Sequence, residues 1–156
     1  MSRRQGKGGF RTGRLLALLA LAAVTTMCLR NGRVPVYAPL PEVLHAIRMV
    51  ETDDRSDPPD GDGGLAIGPY QIHEVYWRDA LAHDPGLGGT YQDCRDRAYA
   101  ERVVHAYMTR YVPEAWALGD AEVIARTHNG GPLGMEKVST EAYWQRVLQV
   151  LRPSAR

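Results

Sequence analysis

Residues 63–77 constrain this chain most strongly, because the segment changes character half-way along. It reads Gly-Gly-Leu-Ala-Ile-Gly-Pro-Tyr-Gln-Ile-His-Glu-Val-Tyr-Trp. Glycine and proline in its first half favour a tight turn or a close approach of the backbone to a ligand. From Gln71 onward, apolar residues recur on one face at helical spacing, which predicts a helix over residues 71–81.

An acidic segment precedes this stretch, and Glu51 lies immediately before that segment. Residues 52–64 combine aspartate with glycine and proline, which predicts a loop or a short hairpin instead of a helix. We therefore expect a cleft formed by this loop, the Gly-Pro-Tyr-Gln segment and Glu51. The aspartates of the loop are Asp53, Asp54, Asp57, Asp60 and Asp62.

The apolar spacing elsewhere predicts four further helices, for about five in all. Pro113 is expected to end the third of the five. Since no strand pattern is longer than one hairpin, the expected fold class is α+β and mostly helical, with a small hairpin or loop lobe. The expected starts or caps of the four helices are Pro41, Asp96, Asp120 and Ser139 or Thr140.

Residues 1–29 have the composition of a targeting segment. Five basic residues and no acidic residue accompany an uncharged run over residues 15–29. That run is shorter than the ~20 apolar residues that span a bilayer. The pattern predicts a signal peptide or an N-terminal membrane anchor, with export to the periplasm, the cell envelope or the medium. Attachment to a membrane through residues 15–29 is one of these expectations.

The remainder of the chain divides into a linker, residues 30–40, and one domain, residues 41–152. Residues 30–156 carry a formal net charge of −4, although the whole chain carries +1. A mildly acidic domain has no basic surface for nucleic acid, which excludes that class of partner. At this length the domain is long enough to bury a core of its own.

No metal or cofactor is predicted. Cys28 and Cys94 are not expected to pair, and no Cys/His cluster has the spacing of a zinc site. A calcium-binding EF-hand starting at Asp60 fails, because Gly64 and Gln71 stand where an oxygen ligand and the closing glutamate are required.

Two carboxylates in unlike environments are the requirement of glycoside hydrolysis. Glu51 continues the apolar stripe of the first helix and lies at its C-terminal end, so burial and the helix dipole both favour its protonated form. The alternative is a solvated glutamate at the end of a helix. An aspartate in the hydrated loop would stay ionised. Glu51 is therefore our candidate general acid, with a loop aspartate as its partner.

Four segments in order resemble the invertebrate-type lysozymes, the destabilase family. The strings Gly-Pro-Tyr-Gln-Ile and His-Asn-Gly-Gly-Pro-x-Gly are the most specific of them, and the resemblance covers about residues 42–150. It implies a lysozyme-like fold and hydrolysis of the β-1,4 bond between N-acetylmuramic acid and N-acetylglucosamine in peptidoglycan. The matching segments are residues 66–80, 104–111, 125–134 and 142–147.

The resemblance also implies roles for particular residues. The catalytic glutamate of the family falls on Glu51. The catalytic aspartate falls on Gly61 without a gap, so a one-residue offset places it on Asp62, with Asp60 in reserve. The residues implied to line the sugar cleft are Tyr70, Gln71, His128 and Asn129.

The chain departs from the animal members of the family, which are rich in disulfides, since its domain has one cysteine; a bacterial branch fits better. Gly64 and Ala66 stand where isopeptidase members carry serine, so a nucleophilic mechanism lacks its nucleophile.

Three alternatives accompany the lysozyme prediction. They are a non-catalytic peptidoglycan-binding module, a lytic transglycosylase that uses Glu51 alone, and a tethered structural protein without affinity for sugar.

Overall fold

The computed structural model describes residues 32–152, and within them six α-helices enclose one small antiparallel sheet. The predicted targeting segment, residues 1–29, lies outside the described residues. The helices are α1 (Leu40–Thr52), α2 (Glu74–His83), α3 (Arg97–Tyr111), α4 (Pro113–Leu118), α5 (Ala121–Gly130) and α6 (Glu141–Leu151). The strands are β1 (Ala66–Ile67) and β2 (Ile72–His73), paired so that Ile67 lies opposite Ile72.

Most helix boundaries follow from local sequence signals. The side chain of Asp96 accepts a hydrogen bond from the backbone N–H of Tyr99 at 2.8 Å and so caps α3. Asp120 caps α5 in the same way through the N–H of Val123. These caps satisfy backbone donors that the first turn of a helix leaves free. The predicted helix starts at Asp96 and Asp120 are confirmed.

The predicted helix over residues 71–81 begins too early. Gln71 has a φ of 46°, and its backbone N–H donates to the carbonyl of Gly68 at 3.0 Å in the turn that joins β1 to β2. Ile72 and His73 then form β2, so α2 begins at Glu74. The hairpin consequently lies after residues 52–64 rather than within them.

The prediction that Pro113 ends the third helix is only half right. α3 ends at Tyr111, and Pro113 then starts α4, which gives six helices within residues 32–152 where the sequence predicted about five. Proline fits the first turn of a helix because its missing N–H has no partner there. Gly119, with a φ of 69°, ends α4 in the left-handed conformation.

The domain begins before residue 41. The backbone N–H of Ala38 donates to the carbonyl of Gly119 at 3.0 Å, and the carbonyl of Val36 accepts from Ala121 at 2.8 Å. Residues 36–38, which fall in the range predicted as a linker, residues 30–40, therefore pair with the junction between α4 and α5. The described chain from Val36 onward forms one compact unit.

The core fills the space between the helices, where α2 packs on α3 and α1 packs on α6. Tyr76 of α2 stacks on Tyr107 of α3 with ring centroids 3.5 Å apart. No helix within residues 32–152 is long and apolar enough to cross a membrane. Fully buried core residues include Val43, Ile47, Ile67, Ile72, Met108, Ile124 and Val147.

Candidate active site

Glu51 lies in the last turn of α1, and its side chain is only 18% exposed. The hydroxyl of Tyr143, on α6, donates a hydrogen bond of 2.7 Å to Oε1 of Glu51. Nε2 of His128, on α5, lies 3.8 Å from the same oxygen. Three helices therefore meet at this carboxyl group, which is largely buried but keeps some access to solvent.

A cavity of about 230 Å³ opens beside Glu51. Its floor and walls come from the end of α1, the acidic loop and the turn between the two strands. It lies where the sequence predicts a cleft, and Gln71 is the residue of the Gly-Pro-Tyr-Gln segment among the described lining residues. The described residues that line it are Glu51, Thr52, Asp53, Arg55, Pro58, Pro59, Asp60, Gly61 and Gln71.

The two candidate aspartates occupy different environments. Asp60 lines the cavity and accepts two hydrogen bonds from the guanidinium of Arg95, one of them 2.8 Å long. These bonds hold the pKa of the Asp60 carboxyl below its ordinary value. Asp62 is not among the described lining residues; it is exposed and contacts Nε2 of His73 at 2.9 Å. The structure therefore brings together Glu51 and Asp60, the reserve residue.

Gln71 also lines the cavity, as the resemblance implied. Its amide nitrogen donates to the carbonyl oxygens of Gly68 at 3.0 Å and Pro59 at 3.3 Å, which ties the strand turn to the acidic loop. A Cβ on Gly61 would lie 2.2 Å from the amide oxygen of Gln71. Glycine at position 61 is what allows these two segments to approach so closely.

Tyr70 is not among the described residues that line the cavity, and its buried side chain does not contact a sugar as predicted. Its side chain is fully buried; its hydroxyl accepts from Nη1 of Arg48 at 2.6 Å and donates to Oε1 of Glu101 at 3.0 Å. Burial raises the pKa of Tyr70. Tyr70 instead anchors the turn between β1 and β2, because its backbone carbonyl accepts a hydrogen bond from His128.

His128 is buried behind Glu51, and the next residue, Asn129, is exposed. Nε2 of His128 lies 3.0 Å from the carbonyl oxygen of Tyr70, so this nitrogen carries the proton and donates. Burial lowers the pKa of His128, although the nearby carboxyl of Glu51 opposes that effect. Because the imidazole is buried, it does not contact a sugar directly as predicted. It instead holds the strand turn through its hydrogen bond to the carbonyl of Tyr70.

Three residues at or behind the site were not predicted, namely Tyr143, Arg48 and Arg95. Tyr143 is a buried residue of α6, and the signal that could have identified it is that a buried tyrosine hydroxyl needs a hydrogen-bond partner. Arg48, three residues before Glu51, carries no such signal, because basic residues mostly face solvent. No local signal pairs Arg95 with Asp60, 35 residues away.

Within residues 32–152 no group of three or more histidine, cysteine, aspartate or glutamate side chains is arranged to hold a metal ion. Cys94 is buried and free, and burial raises the pKa of its thiol to about 12. The carboxyl groups among the described lining residues belong to Glu51, which is largely buried, to Asp53, and to Asp60, which is bound by Arg95.

Comparison with known proteins identifies related sequences. A family model described as Destabilase matches residues 43–150. Lysozyme 1 of Crassostrea virginica is 41% identical over 83 residues, which are 53% of this chain and 43% of that protein. The lysozyme of Meretrix lusoria is 38% identical over 89 residues, 56% of this chain and 70% of that protein. The chain thus spans less than half the length of the Crassostrea relative.

The fold is similar to solved structures as well. A chain in the crystal structure of Aeromonas hydrophila PliI in complex with Meretrix lusoria lysozyme matches with a TM-score of 0.59 and 31% sequence identity. The match covers 75% of this chain and 93% of the matched one. The residues matched by the family model, 43–150, include Glu51, Asp60, His128 and Tyr143.

Proposed function

Because this chain belongs to the destabilase family, whose relatives include invertebrate-type lysozymes, we propose that it is an exported glycosidase of peptidoglycan. Its substrate would be the β-1,4 bond between N-acetylmuramic acid and N-acetylglucosamine. The observation that carries the proposal is that Glu51 and Asp60 line one cavity while differing in environment. Two unlike carboxyl groups on one cleft are what acid-catalysed glycoside cleavage requires.

Glu51 acts as the general acid in this proposal. It gives its proton to the glycosidic oxygen as the bond to the anomeric carbon breaks, and the electron pair of that bond leaves with the oxygen. Water then completes the hydrolysis by bonding to the anomeric carbon, and its proton returns to Glu51. Its position suits this role, because its side chain is only 18% exposed, borders the cavity and is oriented by the hydroxyl of Tyr143.

We assign the second carboxylate to Asp60 in preference to Asp62. Asp60 lines the cavity, and Arg95 keeps it ionised, so its negative charge is available to the positively charged sugar of the transition state. Asp62 points to His73 instead. Asp62 nevertheless follows from the resemblance in sequence, and the two assignments lead to different mutant phenotypes.

Gln71 and Asn129 are proposed to contact the saccharide, Gln71 from inside the cavity and Asn129 from its exposed position at the end of α5. The partner would be a glycan strand of the cell wall. Export is supported by the basic and apolar pattern of residues 1–29. Attachment to a membrane through residues 15–29 stays a prediction.

The test is clearing of a suspension of purified peptidoglycan by the wild-type protein and by the variants Glu51→Gln, Asp60→Asn and Asp62→Asn. Asp57→Asn is the matched control, because Asp57 is an exposed aspartate of the same loop that is not among the described lining residues. We expect Glu51→Gln and Asp60→Asn each to lose at least about 100-fold in rate, in the range that acid catalysis and electrostatic stabilisation contribute. Asp57→Asn should match the wild type.

Other outcomes distinguish the alternatives. Loss of activity in Asp62→Asn but not in Asp60→Asn would identify Asp62 as the second catalytic carboxylate. Anhydro-sugar products, with activity that survives both substitutions, would indicate a lytic transglycosylase. Binding of the wild-type protein to peptidoglycan without cleavage would indicate a wall-binding module, and absence of both would contradict the proposed function altogether.

A further inference from the structure

We propose that Tyr143 is a positioning residue for Glu51, and that its hydrogen bond to Oε1 makes Oε2 the oxygen that delivers the proton. This inference rests on the proposed function of Glu51 as a general acid. It begins from a contact between residues 92 positions apart, in which the hydroxyl of Tyr143 donates to Oε1 at 2.7 Å. The two helices that carry them, α1 and α6, pack against each other.

The direction of this hydrogen bond is fixed by the state of the tyrosine. The side chain of Tyr143 is buried, with 3% of the residue exposed, and burial raises its pKa well above the ordinary value. The hydroxyl therefore keeps its proton throughout the range in which Glu51 would work. A neutral phenol beside a carboxyl group donates to it, so Oε1 is the accepting oxygen.

The other neighbour of Oε1 does not compete for this role. Nε2 of His128 lies 3.8 Å from Oε1, too far for a hydrogen bond, and its proton goes to the carbonyl of Tyr70 at 3.0 Å. Tyr143 is thus the hydrogen-bond donor that the described residues place on Oε1. When Glu51 is protonated, its own proton belongs on the free oxygen, Oε2.

This arrangement favours proton transfer. As Oε2 gives its proton to the glycosidic oxygen, Glu51 becomes a carboxylate and Oε1 takes part of the negative charge. The bond from Tyr143 then becomes a charge-assisted one, which is about twice as strong as a neutral bond. An interaction that strengthens in the transition state accelerates the reaction, whereas equal binding of ground and transition states does not.

The experiment compares Tyr143→Phe with the wild-type full chain on purified peptidoglycan. Phenylalanine keeps the buried ring and removes the hydroxyl alone. Tyr111→Phe is the matched control, because its hydroxyl also donates to a carboxylate, Oδ2 of Asp79 at 2.9 Å, and Tyr111 is not among the described cavity residues. We expect kcat of Tyr143→Phe to fall roughly 10- to 100-fold with little change in KM, the range for hydrogen bonds to charged groups.

The pH profile gives a second readout that a purely structural role would not change. Without the donor, the negative charge that develops on Oε1 during proton transfer loses its hydrogen bond, so the alkaline limb of the activity profile of Tyr143→Phe should move to higher pH. The limb of Tyr111→Phe should not move. The titratable or charged groups that face Glu51 or share its cavity are Tyr143, His128, Asp53, Arg55 and Asp60.

Three results would overturn the inference. An unchanged kcat and an unchanged pH limb in Tyr143→Phe would show that the hydroxyl has no part in the reaction. Parallel loss of peptidoglycan binding, activity and thermal stability would show that Tyr143 only supports the fold. Inactivity of the wild-type protein would reject the proposed function, and this inference with it, whereas the first two results leave the proposed function in place.

Discussion

Arg95 holds Asp60 through two hydrogen bonds, with Nη2 of the arginine 2.8 Å from Oδ2 of the aspartate and Nη1 on Oδ1. The pair joins the acidic loop to the helical turn Tyr91–Arg95, 35 residues later. A guanidinium that binds both oxygens of a carboxylate fixes its orientation as well as its charge. The loop aspartate that lines the cavity is thus fixed in place, although the loop itself has little regular structure.

Substitution of Arg95 by glutamine should move the acidic limb of the activity profile to higher pH. Arg95 lowers the pKa of Asp60, so its removal raises that pKa and Asp60 becomes protonated at a less acidic pH. Rates of peptidoglycan clearing as a function of pH measure the shift. Arg78→Gln, which removes a surface ion pair with Glu74, is the control and should leave the limb unchanged.

Identical acidic limbs for Arg95→Gln and the wild-type protein would contradict the assignment of Asp60 as the second carboxylate. The same result together with an altered limb in Asp62→Asn would favour Asp62.

His128 should make the fold less stable in mild acid. Its pKa in the folded protein is lowered by burial below the ordinary value of 6.5, so the unfolded chain binds the extra proton more readily. The free energy of unfolding is therefore greatest above pH 6.5 and decreases as the pH falls below that value. The neighbours that face this imidazole are Glu51, Tyr70 and Tyr76.

Urea unfolding between about pH 7.5 and about pH 5.5 measures this effect. His128→Gln should show a weaker loss of stability on acidification than the wild-type protein, even if it is less stable at every pH. His83→Gln, which changes an exposed histidine at the end of α2, should keep the wild-type pH dependence. Equal slopes for His128→Gln and the wild type would contradict the prediction.

Arg48 should be a major contributor to stability. Its side chain is 3% exposed and bonds Asp54 at 2.6 Å, the hydroxyl of Tyr70 at 2.6 Å and Glu101 at 3.1 Å. Replacement by alanine removes the arginine's hydrogen bonds from three buried or partly buried acceptors, which should cost about 2–4 kcal/mol of unfolding free energy. Denaturant unfolding measures the loss.

The control for Arg48 is Arg78→Ala, which breaks an exposed pair one helical turn apart. Such pairs stabilise helices by about 0.2–0.5 kcal/mol, so the control should have a small effect. Similar losses for the two variants would mean that the buried network contributes no more than a surface ion pair.

Gly68 should tolerate no side chain. Its φ is 72°, and an added Cβ would lie 2.0 Å from the backbone carbonyl oxygen of Cys94. Gly68→Ala should therefore lower the unfolding free energy by about 3–5 kcal/mol, through left-handed strain together with the clash. Gly63→Ala is the control, since Gly63 has a similar φ of 65° and nothing within 4 Å, and should cost about 1–2 kcal/mol.

Both glycine variants are compared by denaturant unfolding at one pH. A loss for Gly68→Ala no larger than that for Gly63→Ala would show that backbone strain alone acts at position 68, and that the contact with Cys94 relaxes at no cost.

The sequence by itself determined the family and most of the helices, but not α4 or the start of α2. Caps at Asp96 and Asp120 and the apolar periodicity are local signals, since a helix is formed by residues close together in the chain. The same signals placed Glu51 at the end of α1. The prediction failed at Gln71 because helical spacing of apolar residues does not reveal a turn in which that glutamine adopts a positive φ.

Only the tertiary structure decided which residues surround Glu51. Tyr143 reaches it from 92 residues away, and Arg95 selects Asp60 from a loop with five aspartates. Tyr70, expected in the cleft, is buried on Arg48 because the strand turn directs its side chain into the core. Such neighbours depend on how helices pack and how loops are anchored, and periodicity within one segment carries no information about either.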